Sequence, residues 1–117
     1  MTRDELTQFC AAFPQATHVV HWGSADVYKV GGKLFAVVGM GKSGNTVTFK
    51  ATDMAFEILS DSPGLRPAPY MASRGLKWIQ HYAEPGLSDS SLRDHIAASY
   101  EMVVAGLTRK KRAELGL

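Results

Sequence analysis

Three observations predict an α+β fold, a mainly antiparallel sheet of about five strands with helices packed on it. First, Asp26–Lys50 alternates in side-chain type, which suits strands whose two faces are dressed differently. Second, apolar residues recur at helical spacing in three separate stretches, Arg3–Phe13, Met54–Ser60 and Ser90–Gly106. Third, the strand-like runs are joined mostly by hairpin turns, not by crossover helices. A length of 117 residues sets one domain spanning 1–117.

Taken in order, Thr2 and Glu5 form a capping-box pair before Leu6, Phe9, Cys10 and Phe13, and Pro14 closes that helix. Val19–Trp22 is a short strand, with a turn at Gly23-Ser24. In Asp26–Lys50, Val27, Lys29, Leu34, Ala36 and Val38 are expected on one face, and Tyr28, Val30, Lys33, Phe35 and Val37 on the other. Gly31-Gly32 suits a two-residue hairpin turn that needs positive φ. Gly41–Asn45 is a polar tip before the strand Thr46–Lys50.

Thr52 or Asp53 caps the second helix, and Ser62-Pro63-Gly64 ends it. Leu65–Gly75 carries Pro67 and Pro69 and reads as an irregular connection. Lys77–Tyr82 is the last strand, with Trp78, Gln80 and Tyr82 on one face. The longest helix turns Leu92, Ile96, Ser99, Val103 and Leu107 inward, while Arg93, Asp94, His95 and Glu101 face away. Thr108 caps a final helix, Arg109–Leu115. The order is therefore α-β-β-β-β-α-β-α-α.

Composition narrows the classes. A hydrophobic share of 45% with 21% charge is that of a folded domain. Cys10 is the single cysteine, so neither a disulfide within the chain nor a Cys-based zinc site can form. The charged start lacks a signal-peptide core, and Leu34–Met40 is too short to span a bilayer. A reduced cytoplasmic setting, with no membrane partner, is the expectation.

The chemical motifs are mostly decoys. Gly39–Gly44 matches G-x-G-x-x-G and holds Gly-Lys-Ser, but a strand follows it where a dinucleotide or phosphate loop needs a helix. His18 and His21 would point to opposite faces of a strand, so they do not pair on a metal. No nucleophile elbow or Cys-His signature is present. The chain is read as a non-enzyme with no cofactor, no metal and no catalytic residue.

Charge placement carries the strongest signal. Val27–Thr52 and Ser62–Ala83 hold no acid but seven cations: Lys29, Lys33, Lys42, Lys50, Arg66, Arg74 and Lys77. Tyr28, Tyr70 and Trp78 are interleaved with them. Basic loops with aromatics suit phosphate contact and base stacking. The competing explanation is that lysines guard strand edges. Arg109-Lys110-Lys111-Arg112 is a second basic cluster, read as complementing a helix C-terminus or as a solvated tail.

Lys29–Ala36, Thr48-Phe49-Lys50, Pro67–Tyr70, Lys77-Trp78-Ile79 and Ser99-Tyr100, in this order and spacing, resemble the successive blocks of the MmcQ/YjbR family (DUF419). Phe49 stands where many members have Leu. The resemblance implies a small bacterial cytoplasmic domain, similar in shape to type III secretion chaperones and CyaY-like sheets. Members are commonly labelled DNA-binding through a double wing of hairpin loops. That would place wings at Gly31-Gly32, at Gly41–Asn45 or at Pro67–Lys77. The family lends no catalytic motif.

Two functions compete. In the first, Lys29, Lys33, Lys42, Lys50, Arg74 and Lys77 contact nucleic-acid phosphates weakly and without sequence preference, with Tyr70 and Trp78 stacking or packing. In the second, a sheet surface binds another protein or a second copy of the chain.

Overall fold

The structure, a computed structural model, describes residues 1–21, 23–39, 45–69, 71 and 74–117. Helix α1 (Arg3–Ala11) precedes strands β1 (Thr17–His21), β2 (Ala25–Val30), β3 (Lys33–Val38) and β4 (Val47–Lys50). Helix α2 (Asp53–Ser60), strands β5 (Leu65–Pro67) and β6 (Trp78–His81), and helices α3 (Asp89–Ala105) and α4 (Arg109–Leu115) complete the chain. The six strands form one sheet in the order β1-β2-β3-β4-β6-β5, and every neighbouring pair is antiparallel. The α+β class is as expected.

The expectation that Leu65–Gly75 is irregular needs correction, because Leu65–Pro67 pairs with β6 as a sixth strand. Its prolines forbid a central strand, but an edge strand tolerates Pro67, whose missing N–H faces no partner. The order becomes α-β-β-β-β-α-β-β-α-α.

Each helix begins the same way. Thr2, Thr52, Ser88 and Thr108 accept, through their hydroxyls, the N–H of the residue three places on. Thr2 and Glu5 complete the capping box. Helices α1 and α3 lie across β2–β4, and α2 lies on β5 and β6, all on one sheet face. Leu6, Cys10, Tyr28, Phe35, Phe49, Ile79, Leu92, Ile96 and Val103 meet there as the main core. Phe13 stacks on Tyr100, whose hydroxyl donates to Pro14 O at 2.6 Å and fixes the turn out of α1. His95, expected to face away, instead stacks on Phe49 with ring centroids 5.6 Å apart, because α3 presses closely on β4.

The expected alternation fails at one place in β3. A bulge between Tyr28 and Lys29 puts Leu34 opposite Lys29 and Ala36 opposite Tyr28, with Phe35 the extra residue. Leu34 therefore turns to the helix-free face beside Val27 and Val37, whereas Phe35, Ala36 and Val38 all join the core. The β3–β4 register extends no further than Ala36 opposite Phe49. Where Phe35 and Lys50 would pair next, the Ser99 hydroxyl of α3 intervenes. It donates to Phe35 O at 2.7 Å and accepts from Lys50 N–H at 2.9 Å. Ser99 is fully buried, so these two backbone groups have no water to replace it.

A second tie lies at the opposite end of the sheet. Arg3 donates through Nε and Nη2 to Asp26 Oδ2, at 3.1 and 2.8 Å, and through Nη2 to Ser24 O at 2.6 Å. His18 Nε2 is 2.7 Å from Asp26 Oδ1. Burial pushes the Asp26 carboxyl up, but the His18 and Arg3 hydrogen bonds outweigh it, and its pKa falls below the ordinary 3.8. Gly39 leaves room for Arg3, since a Cβ there would lie 2.6 Å from the guanidinium carbon.

Two outcomes are expected. Ser99→Ala strands two buried backbone groups and lowers stability by about 2–4 kcal/mol in urea unfolding. A loss below about 0.5 kcal/mol would contradict the bridging role. For Asp26, a depressed folded pKa means stability that is complete above the unfolded value and lost as pH falls through the folded one. Asp26→Asn should be less stable than the wild type at pH 7, and this difference should shrink below about pH 4. A difference independent of pH would contradict the charge-based tie.

Candidate nucleic-acid interface

Strand register fixes where the predicted cations sit. Lys29 lies opposite Leu34, next to the Gly31-Gly32 turn, and Lys33 lies opposite Val30 across that turn. Lys50 ends β4 opposite Trp78. The Ala51 N–H donates to Lys77 O, so Lys77 enters β6 beside them. The Ala68 N–H donates to Trp78 O, so the segment bearing Arg74 leaves and re-enters the sheet at the same end. Lys29, Lys33, Lys50, Arg74 and Lys77 thus gather at one end of the sheet. Lys42 and Tyr70 lie outside the described residues. Val38 and Val47 pair at the opposite end.

Among the described residues, Lys77 is the one member of this group in an ion pair, 3.8 Å from Asp53 Oδ1 in an exposed contact. Its ammonium also lies 5.6 Å from the Phe56 ring centroid. Lys33, Lys50 and Arg74 are exposed, and Lys29 is half-buried. Strands are spaced about 4.8 Å apart, so β2 to β6 spans about 14 Å. That width covers several phosphates, which follow each other every ~3.4 Å of axis along one DNA strand.

The C-terminal cluster joins this end. A Cβ on Gly31 would meet Leu107 Cδ1 at 2.8 Å, so the β2–β3 turn lies directly on Leu107. Arg109–Arg112 begin right after it. The expectation that this run closes a helix is corrected: it opens α4, behind the Thr108 cap. Cations in a first turn oppose the helix dipole, so the dipole does not account for them. The acids that open α1 (Asp4, Glu5) and α3 (Asp89) are at the other end, where the Met1 amino group pairs with Asp89 at 3.1 Å. The cap positions of these helices thus sort the charges along the molecule.

The aromatic part of the expectation changes. Tyr28 and Trp78 are buried, so they pack and are not presented to a base. Tyr28 and Phe35 fill the core together. Burial pushes the Cys10 thiol and the Tyr28 hydroxyl up to about 12 and lowers His81 and His95. His18 and His21 do fall on opposite faces of β1, as their spacing implies. Among the described residues no group of three His, Cys, Asp or Glu side chains could hold a metal. No helix among them is long and apolar enough to cross a membrane. A shallow groove of about 250 Å³ between α1 and α3 is lined by Phe9, Ala12, Phe13, Pro14 and Ala97 and brings no polar side chain together.

Sequence reasoning missed the Ser99 bridge and the Arg3–Asp26–His18 cluster, because both join residues far apart in the chain. It missed the adjacency of the two basic clusters for the same reason.

Comparison with known proteins agrees with the fold. The YjbR family model matches residues 11–102. A Deinococcus radiodurans protein with a DUF419 domain superposes with a TM-score of 0.83 at 21% identity, covering 99% of this chain and 88% of its own. A Pseudomonas syringae protein superposes with a TM-score of 0.68 at 17% identity, covering 88% of this chain and 99% of its own. No curated protein matches the chain significantly.

Proposed function

This chain belongs to the YjbR family, and we propose that it binds nucleic acid weakly and without sequence preference, through the phosphate backbone, at the basic end of its sheet. One observation carries the reading: Lys29, Lys33, Lys50, Arg74 and Lys77 converge at the strand ends and adjoin the Arg109–Arg112 turn. Convergent cations of one sign release condensed counterions from a polyanion, which supplies affinity without reading bases. The family's DNA-binding label agrees with this placement. Tyr28 and Trp78 are buried and offer no stacking face to a base. No catalytic step enters the proposal.

A second reading, a protein-interaction module, has one observation in its favour. All five residues of the edge strand β1 are exposed, Val20 to 60%, and neither Lys nor Pro guards the edge. Light scattering on the wild type and on Val20→Lys shows whether copies pair and whether this edge is needed.

The test is fluorescence anisotropy of a labelled DNA duplex at low salt. Lys33→Glu combined with Lys50→Glu should weaken binding more than tenfold, since each lost phosphate contact is compounded by a repulsive charge. Arg93→Glu, an exposed control on α3, should change it less than twofold. Equal affinities for the double variant and the wild type would remove the basic end from consideration.

A further inference from the structure

The helix-free face of the sheet holds a feature that phosphate contact at the basic end leaves unused. Thr48, Gln80 and Arg66 stand side by side across β4, β6 and β5. Thr48 and Gln80 are 0% and 1% exposed, in the middle of a sheet where Val or Ile would ordinarily pack. Gln80 Nε2 reaches Thr48 Oγ1 at 3.5 Å, and its Oε1 accepts from Arg66 Nε at 2.8 Å. A buried amide is thus aimed by one neighbour and holds an exposed guanidinium with the other. The guanidinium also lies over the Tyr82 ring, 4.4 Å from its centroid. Gln80 fixes it in plane, and Tyr82 supports it from one side.

Arg66 has no acidic partner among the described residues. Among the described residues the ion pairs join Met1 to Asp89, Arg3 and His18 to Asp26, and Lys77 to Asp53. A fixed and uncompensated guanidinium is the arrangement that binds planar or tetrahedral oxyanions, because little rotamer freedom remains to be lost on binding. Keeping a polar row at the sheet centre costs packing, and orienting Arg66 is a reason to keep it.

We infer that Arg66, held by Gln80 and Tyr82, is a receptor for one oxyanion group, a phosphate or a carboxylate, on the helix-free face. Arg66 faces Gln80, two residue pairs in from the Lys50–Trp78 pair that borders the basic end. Its test reads the Arg66 side chain itself and not DNA affinity, so the two readings fail separately. Gln80 is a positioning residue here, and Arg66 makes the contact.

The Arg66 Nε–Hε resonance of ¹⁵N-labelled protein reports the contact directly. It would be followed while inorganic phosphate, and separately acetate, replaces chloride at constant ionic strength. A saturable shift with phosphate alone, with acetate alone or with both supports the site and identifies its anion class. A linear drift equal to that of chloride overturns it. Arg66→Lys keeps the charge but loses the planar fork. Followed through backbone amides of β5 and β6, it should abolish saturation. Gln80→Met should weaken binding about tenfold while leaving thermal stability unchanged or higher. Unchanged affinity in Gln80→Met would overturn the positioning role of the buried amide.

Discussion

The arrangement depends most on the way α3 enters the sheet. The bulge at Tyr28/Lys29 makes Phe35 an extra residue and takes its carbonyl out of register with Lys50. Ser99 takes over both orphaned groups, at 2.7 and 2.9 Å. A hydroxyl from a helix thus becomes a rung of the β-ladder. It ties α3 to β3 and β4 at one point. About two turns beyond this tie, the same segment brings Leu107 onto Gly31, and so Arg109–Arg112 to the end where Lys29, Lys33 and Lys50 already lie. The convergence of charge follows from a packing constraint.

Charge is then sorted along the molecule by local rules. Acids favour helix starts, and the starts of α1 and α3 share one end with the Arg3–Asp26–His18 tie. The hairpin turn Gly31-Gly32, the end of β4 and the entry to β6 carry lysine at the other. Asp53, which opens α2 at the basic end, is offset by Lys77. A net charge of only +2 therefore conceals a polar molecule.

Much of this architecture is legible in the sequence, because it rests on local signals. The Thr2 and Thr108 caps, the Gly31-Gly32 hairpin and the last helix Arg109–Leu115 all follow from residue type and short spacing. What was not legible is long-range. Leu65–Pro67 is too short and too proline-rich to announce itself, and only pairing with β6 makes it a strand. The Tyr28/Lys29 bulge breaks an alternation that the sequence displays as unbroken. Tyr28 and Trp78 look available beside lysines, yet the sheet buries them. For the site, Lys29 and Lys33 were placed by their hairpin, but that Lys50, Arg74 and Lys77 join them depends on the strand order, which no periodicity encodes. The role of Arg66 was invisible, since Gln80 lies fourteen residues away on a neighbouring strand.

The central claim is that several of these cations act together on phosphates, and the salt dependence of duplex affinity measures that number directly. With four or five contacts, log affinity against log salt concentration should fall with a slope of about −4. A slope near zero, or no binding at the lowest salt, would mean that the basic end is ordinary solvated surface and that its convergence serves no polyanion.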